Sequence, residues 1–390
     1  MKLLRTISTR SLVVLVLAVL ALAAGGAAIA VAAGGGSGPT PPPKPLAQAI
    51  HDALAAPAPE GVTARIKFTN RLFPSGSLLG SAASALMSGA SGRLWLTNDR
   101  RGRLELQSDA GDAQIVWHGR KLTIYDASSN TVYRATLPAR KGDRQRTTPT
   151  LAQIDDFLSR LGAHATVSAA QPTDVAGQAA YRVTIAPKHD GGLLGFAEVA
   201  WDAIRGVPLR AGVYAHGGSS PVLQLAVTDI SYGRVPAADV DVAPPAGAKS
   251  VDLGSLGGRR NEKRNHGNQV TGLDAVRAAA DFPVVAPNTL VGLPRKDVRL
   301  VGGSDSKSVL VVYGRGLGAI VVVERKADSA RMSHAGLLSS LPTVSLDGIT
   351  AHELATQLGT ALEWKRGGVA YLLAGSLPPA AAETAARDLK

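Results

Sequence analysis

Ser304 and Lys307 stand three residues apart in Ser304-Asp305-Ser306-Lys307, the spacing at which a lysine activates a serine nucleophile in penicillin-recognising enzymes. No Ser-Asp-Asn or Lys-Thr-Gly element accompanies them, and they fall in a Gly-Ser-Asp turn between two strand patterns, so the spacing reads as chance. Gly314-Arg315-Gly316-Leu317-Gly318 has part of a dinucleotide fingerprint, but that motif needs a helix next, with its N-terminus facing phosphate. Ala319-Ile320-Val321-Val322-Val323 follows instead, a strand pattern, so the glycines predict a hairpin turn. Asp155 and Asp156 are adjacent in a helical pattern and point in different directions, so they cannot share one site. The eight histidines are scattered, without HExxH or another close pair, and the chain has no cysteine. The expectation is therefore no catalytic residue, no metal site and no cofactor, that is, not an enzyme. Absence of cysteine also removes disulfides and a lipid anchor on cysteine.

What remains is apolar surface and its placement. Lys2, Arg5 and Arg10 precede an uncharged apolar run from Ser11 to Ala33, the order of an export signal. Ala30 and Ala32 suit a signal peptidase, while the whole run reaches the roughly 20 residues that span a bilayer. Residues 1–33 read as either a signal peptide or an N-terminal membrane anchor, and both place the protein on the extracytoplasmic side. Residues 34–45, GGGSGPTPPPKP, read as a Gly/Pro-rich linker. The formal charge is +12, gathered in short clusters such as Arg100-Arg101-Gly102-Arg103 and the stretches 140–146 and 259–264. Outside the cell nucleic acid is not the partner of such clusters; they read mainly as solvated loops.

A short helix is expected from Leu46 to Ala56. Then Val62-Thr63-Ala64-Arg65-Ile66-Lys67-Phe68-Thr69 alternates apolar and polar, as a half-buried strand requires. Similar runs at 93–97, 103–107, 114–117, 121–125 and 131–136, separated by turn residues, predict an antiparallel meander. Thr150 and Gln153 form a capping box for a helix carrying Leu151, Ile154, Leu158 and Leu161, stopped at Gly162. Strands resume at 164–170, 180–186, 195–202, 207–215 and 222–232. Ten or eleven strands must curl. The expected class is α+β: a large curled antiparallel sheet, an unclosed half-barrel, with helices on its concave face, over residues 46–253. A basic linker, 254–270, leads to a smaller C-terminal α+β domain, 271–390, of strands at 298–301, 308–313 and 319–324, a hairpin near 362–373 and a terminal helix from Pro379. Phe68, Leu94, Leu96, Leu104, Leu106, Val116, Leu122 and Ile124 are the candidates to line an apolar cavity, since an aromatic content of 4% leaves small side chains to fill a wide half-barrel.

The run GDAQIVWHGRKLTIYDASSNTVYRATLP, with Gly111-Asp112-Ala113-Gln114, Tyr125-Asp126 and Asn130-Thr131-Val132-Tyr133-Arg134, resembles the LolA-like lipoprotein-carrier superfamily, which includes periplasmic regulators of the RseB/MucB type. The resemblance covers about Leu46 to Leu253. It implies an unclosed β-barrel lidded by helices that holds or senses a lipid or lipoprotein acyl chain. The added C-terminal domain, of unknown function, and the potential anchor suggest a tethered sensor as much as a soluble carrier. A regulatory interaction module for a membrane protein, such as an anti-sigma factor, is the alternative that the same resemblance implies.

Overall fold

The alternation at Gly61–Asn70 gives the strand it requires: β1 (Gly61–Asn70) buries Val62, Ala64 and Ile66 and exposes Arg65 and Lys67. The structure is a computed structural model that describes residues 38–72, 89–109, 111–137, 148–163, 165–188, 192–255, 270–302, 307–327 and 341–390. The expected export segment 1–33, the two basic stretches 140–146 and 259–264, and Ser304 lie outside these residues. Among the described residues no helix is long and apolar enough to cross a membrane.

Helix α1 (Leu46–Ala55) precedes β1. The meander follows as β2 (Ala90–Thr97), β3 (Arg101–Gln107), β4 (Ala113–His118), β5 (Lys121–Asp126) and β6 (Thr131–Thr136), each antiparallel to the last. Helix α2 (Leu151–Gly162) starts on the expected capping box: Gln153 N donates to Thr150 Oγ1 at 3.3 Å, and Thr150 N donates to Gln153 Oε1 at 2.9 Å. The chain then forms β7 (Ala165–Val167), β8 (Gln171–Val175), β9 (Gln178–Pro187), β10 (Leu194–Asp202), β11 (Pro208–Ala215), β12 (Pro221–Tyr232), a single helical turn α3 (Ala237–Val240) and β13 (Lys249–Ser255).

These strands make one 13-stranded sheet in the order β13-β6-β5-β4-β3-β2-β1-β12-β11-β10-β9-β7, with β8 also on β9. The class is the expected α+β, and the sheet is unclosed, ending at β13 and β7. Two details differ from the sequence expectation. The strand expected at 164–170 stops at Val167, and a separate strand, β8, forms around Pro172. β13 joins β6 in parallel, the one departure from antiparallel pairing in this sheet. Helix α1 packs through Ala49 against Tyr181, Val183, Val199 and Trp201, whereas Ala180 and Ala200, at alternating positions, belong to the large cluster of the sheet. β9 and β10 thus bury apolar residues on both faces, though on the second only the alanines.

The second unit carries α4 (Leu273–Ala279), β14 (Thr289–Leu290), β15 (Leu293–Val301), β16 (Ser308–Tyr313), β17 (Ile320–Lys326), β18 (Thr343–Leu346), β19 (Ile349–Ala355), β20 (Thr360–Arg366), β21 (Val369–Gly375) and α5 (Pro379–Asp388). Its strands form an eight-stranded sheet, β14-β15-β16-β17-β21-β20-β19-β18. One face is covered by Val276 of α4, by Phe282, Val284 and Ala286, and by Ala382, Ala385, Ala386 and Leu389 around α5. The Gly314–Gly318 stretch is the hairpin connection the sequence predicts: β16 and β17 pair antiparallel across it, with Gly314 at φ 72° and Gly316 at φ 64°. Ser376 joins the two units, since its carbonyl accepts from Leu193 N at 3.1 Å and its Oγ from Leu194 N at 2.6 Å.

Candidate functional site

The register of the first sheet lines up its apolar residues in rows that run across the strands. One unbroken row is Ile230, Ala64, Leu94, Leu104, Ile115, Ile124, Tyr133 and Val251, from β12 through β1 to β6 and on to β13. A second is Tyr232, Val62, Leu96, Gly102, Trp117, Leu122 and Ala135. Cross-strand neighbours on one face lie close enough to pack side by side, so each row is a continuous apolar strip. Gly102 has no Cβ because the Trp117 ring lies where that atom would be. The indole thereby fills the space beside Gly102 in the strip.

Seven of the eight residues expected to line a cavity belong to this face. Leu104, Leu106, Leu122 and Ile124 are buried in one cluster, and Phe68, Leu94 and Leu96 pack against it while staying partly exposed. Val116 does not join them. It is paired with Arg103 and Thr123, which places it on the opposite face, while its neighbours Ile115 and Trp117 take the inner positions. Three apolar residues in succession left the phase of β4 open in the sequence; pairing of Leu104 with Ile115 sets it. The opposite face is polar. There Arg103 lies 5.0 Å from the Trp95 ring centroid, pairs with Glu105, and donates to Asp239 O at 3.3 Å, holding α3 against β2 and β3.

Two polar groups near the apolar face were not anticipated. Asp202 is 1% exposed, and its carboxylate accepts from Ile204 N and Arg205 N, each at 2.8 Å, and from the Tyr232 hydroxyl at 2.7 Å. Burial, and then that bond to Asp202, hold the Tyr232 hydroxyl in its protonated form well above the usual tyrosine range. The Arg205 guanidinium stacks 4.2 Å from the Tyr232 ring centroid. With its lone pairs taken by four donors counting Arg205, Asp202 pins the β10–β11 turn and offers no free base. Glu198 is likewise buried, with Arg182 Nη1 3.6 Å from Oε2 and no hydrogen-bond partner for Oε1. Burial pushes its carboxyl up, against the pull of Arg182 and Arg210.

No constellation for catalysis forms among the described residues, and no group of three or more metal-ligating side chains occurs there. Lys307 Nζ donates to Ala279 O at 2.8 Å, capping α4. Asp156 pairs with Arg160 at 2.7 Å, while Asp155 faces an open cleft of about 440 Å³ between α1, α2 and β7, lined also by Leu46, Leu158, Val167 and Lys188.

No protein-family model matches this chain, and no curated protein does. Among solved structures, MucB in complex with MucA(peri) aligns over 88% of this chain and 96% of its own, with 14% identity and a TM-score of 0.43. The Pseudomonas aeruginosa MucA/MucB complex aligns over 87% and 96%, with 13% identity and a TM-score of 0.44. A LolA superfamily protein from Nitrosomonas europaea covers 51% of this chain and 98% of its own, with 8% identity and a TM-score of 0.22. The chain is thus similar to MucB over most of its length and to the LolA superfamily protein over about half of it.

Proposed function

We propose that this chain is a non-enzymatic cell-envelope protein that binds a lipid or lipoprotein acyl chain on the apolar face of its first sheet, as a carrier or a sensor. The observation that supports this reading is the pair of apolar rows, with a buried floor at Leu104, Leu122 and Ile124 and a partly exposed edge at Phe68, Leu94 and Leu96. A flexible chain laid along such a strip gains about 0.8 kcal/mol per methylene removed from water. The reading of residues 1–33 as an export segment supports the proposal, since such ligands occur on the extracytoplasmic side.

The test is to purify the full chain from membranes in mild detergent, analyse bound lipid by mass spectrometry, and titrate the delipidated protein with a fluorescent fatty acid. Leu94→Asp puts a charge on the partly exposed edge and is expected to weaken binding at least about tenfold. No co-purified lipid, together with equal probe affinity in both proteins, would refute the reading. The competing reading, a regulatory module for a membrane protein such as an anti-sigma factor, predicts that a specific membrane protein is still captured by the Leu94→Asp variant.

A further inference from the structure

Among the described residues four large apolar side chains remain exposed: Leu54 at 38%, Leu151 at 40%, Phe157 at 51% and Ile204 at 72%. Single exposed apolar residues scattered over a surface are ordinary. These are not scattered, because all four belong to α1, α2 and the turn between β10 and β11, and the three elements touch. α2 lies against α1, and Gly206 of the turn is so close to Ala53 of α1 that a Cβ there would collide with the Ala53 carbonyl. Of the twelve residues in α2, only Ile154 is buried. Of the charges here, Asp52 is paired with Lys44 at 2.6 Å and Asp156 with Arg160 at 2.7 Å, while Asp155 faces the cleft between α1 and α2.

The route of the chain into α1 says what covers this patch. The Tyr181 hydroxyl donates to Pro42 O at 2.6 Å, Pro41 is buried, and Gly38 lies against Asp174 of β8. Tyr181 belongs to the same apolar cluster as Ala49 of α1, so the chain arrives on the side of the sheet that carries the helices. The chain is held from Gly38 onward, and only four residues, 34–37, separate Gly38 from Ala33, the end of the apolar run. The five Cα-to-Cα steps from Ala33 to Gly38 reach about 18 Å at most. With the run 11–33 inserted in a bilayer, the reading on which this inference rests, the helix side of the first sheet is kept within that distance of the lipid.

We propose that the bilayer surface is the partner of this patch: α1, α2 and the β10–β11 turn lie on the membrane, with Phe157 and Ile204 in the boundary between headgroups and acyl chains. These large apolar residues are exposed, and Asp52 and Asp156 beside them are each neutralised by a cation, which leaves apolar area to drive insertion.

The natural absence of cysteine makes the test direct. Phe157→Cys, Ile204→Cys and Lys365→Cys, the last an exposed site on the second unit, each carry an environment-sensitive fluorophore in the full chain. The proteins are reconstituted in phosphatidylcholine and phosphatidylglycerol vesicles containing nitroxide-labelled lipid. Quenching at 157 and 204 is expected to exceed that at 365 by at least about twofold. Equal quenching at all three sites overturns the proposal. So does absence of lipid quenching at 157 and 204; protection of those probes from aqueous iodide would then assign the patch to a second copy or a protein partner. Alkaline carbonate washing tests the anchor separately. A chain that is washed off, yet shows the expected quenching when bound at neutral pH, refutes the anchor and keeps the patch. A chain that resists washing without the quenching pattern keeps the anchor and refutes the patch.

Discussion

Glu324→Gln is expected to remove most of the pH dependence from the stability of the second unit's core. Glu324, on β17, is fully buried. Val285 N donates to its Oε2 at 3.0 Å, and Oε1 has no partner. Burial pushes the carboxyl up to about 7, against smaller pulls from the Val285 amide and Arg277. The folded value lies above the unfolded value of 4.5, so between these pH values the folded chain keeps a proton that the unfolded chain has released. The stabilisation is therefore fully present below about pH 4.5 and is lost as pH rises through about 7. At about 1.4 kcal/mol per pKa unit, the loss is about 3 kcal/mol. Hydrogen exchange of peptides from β16, β17 and β21, corrected for intrinsic rates, reads this core alone. From pH 5 to pH 8 the wild-type protection factors are expected to fall roughly a hundredfold, and those of Glu324→Gln to stay nearly level. An equal fall in both proteins would refute the assignment of this proton to Glu324.

Adjacent residues on β4 test the register. Ile115→Ala should cost about 2–5 kcal/mol in urea unfolding, since Ile115 is fully buried in the first row, while Val116→Ala, on the polar face, should cost less than about 1 kcal/mol. Similar losses would mean that the two faces of β4 are misassigned. Thr150→Ala should remove the cap of α2 and lower its local stability by about 1 kcal/mol, seen as faster exchange of amides in its first turn. Unchanged exchange would show that packing on α1 and β7, rather than the cap, holds that end.

The meander was legible because each strand repeats with period two and the turns between strands carry their own signals. The capping box at Thr150 and Gln153 marked a helix start that the structure reproduces. Val116 shows where local pattern stops: the inner face of Ala113–His118 depends on which residue of β3 stands opposite. β13 escaped notice because seven residues, KSVDLGS, gain their strand character from the free edge of β6, a partner over a hundred residues earlier in the chain. The hairpin of β18 and β19 had a readable signal that went unused, Asp347-Gly348 between apolar residues, and both adopt positive φ, 52° and 84°. Asp202 and Glu324 are acidic residues at inward positions. Nothing local distinguishes such a carboxylate from a wet one until the covering segments are in place.

The position of β12 beside β1 has a bearing on how the first sheet is assembled. Within the meander β1 to β6 each strand pairs with its neighbours in sequence, and so it does within the run from β8 to β12, so each half can form by short-range closure before β1 meets β12 and β6 meets β13. Val62 and Tyr232 meet at the seam between the halves although they lie about 170 residues apart, which makes this closure the slow, entropically costly event. During synthesis the first half emerges well before the second. Until β12 arrives, β1 waits with an open edge and a bare apolar flank. The seam thus defines a window in which that edge is open to pairing with the wrong strand.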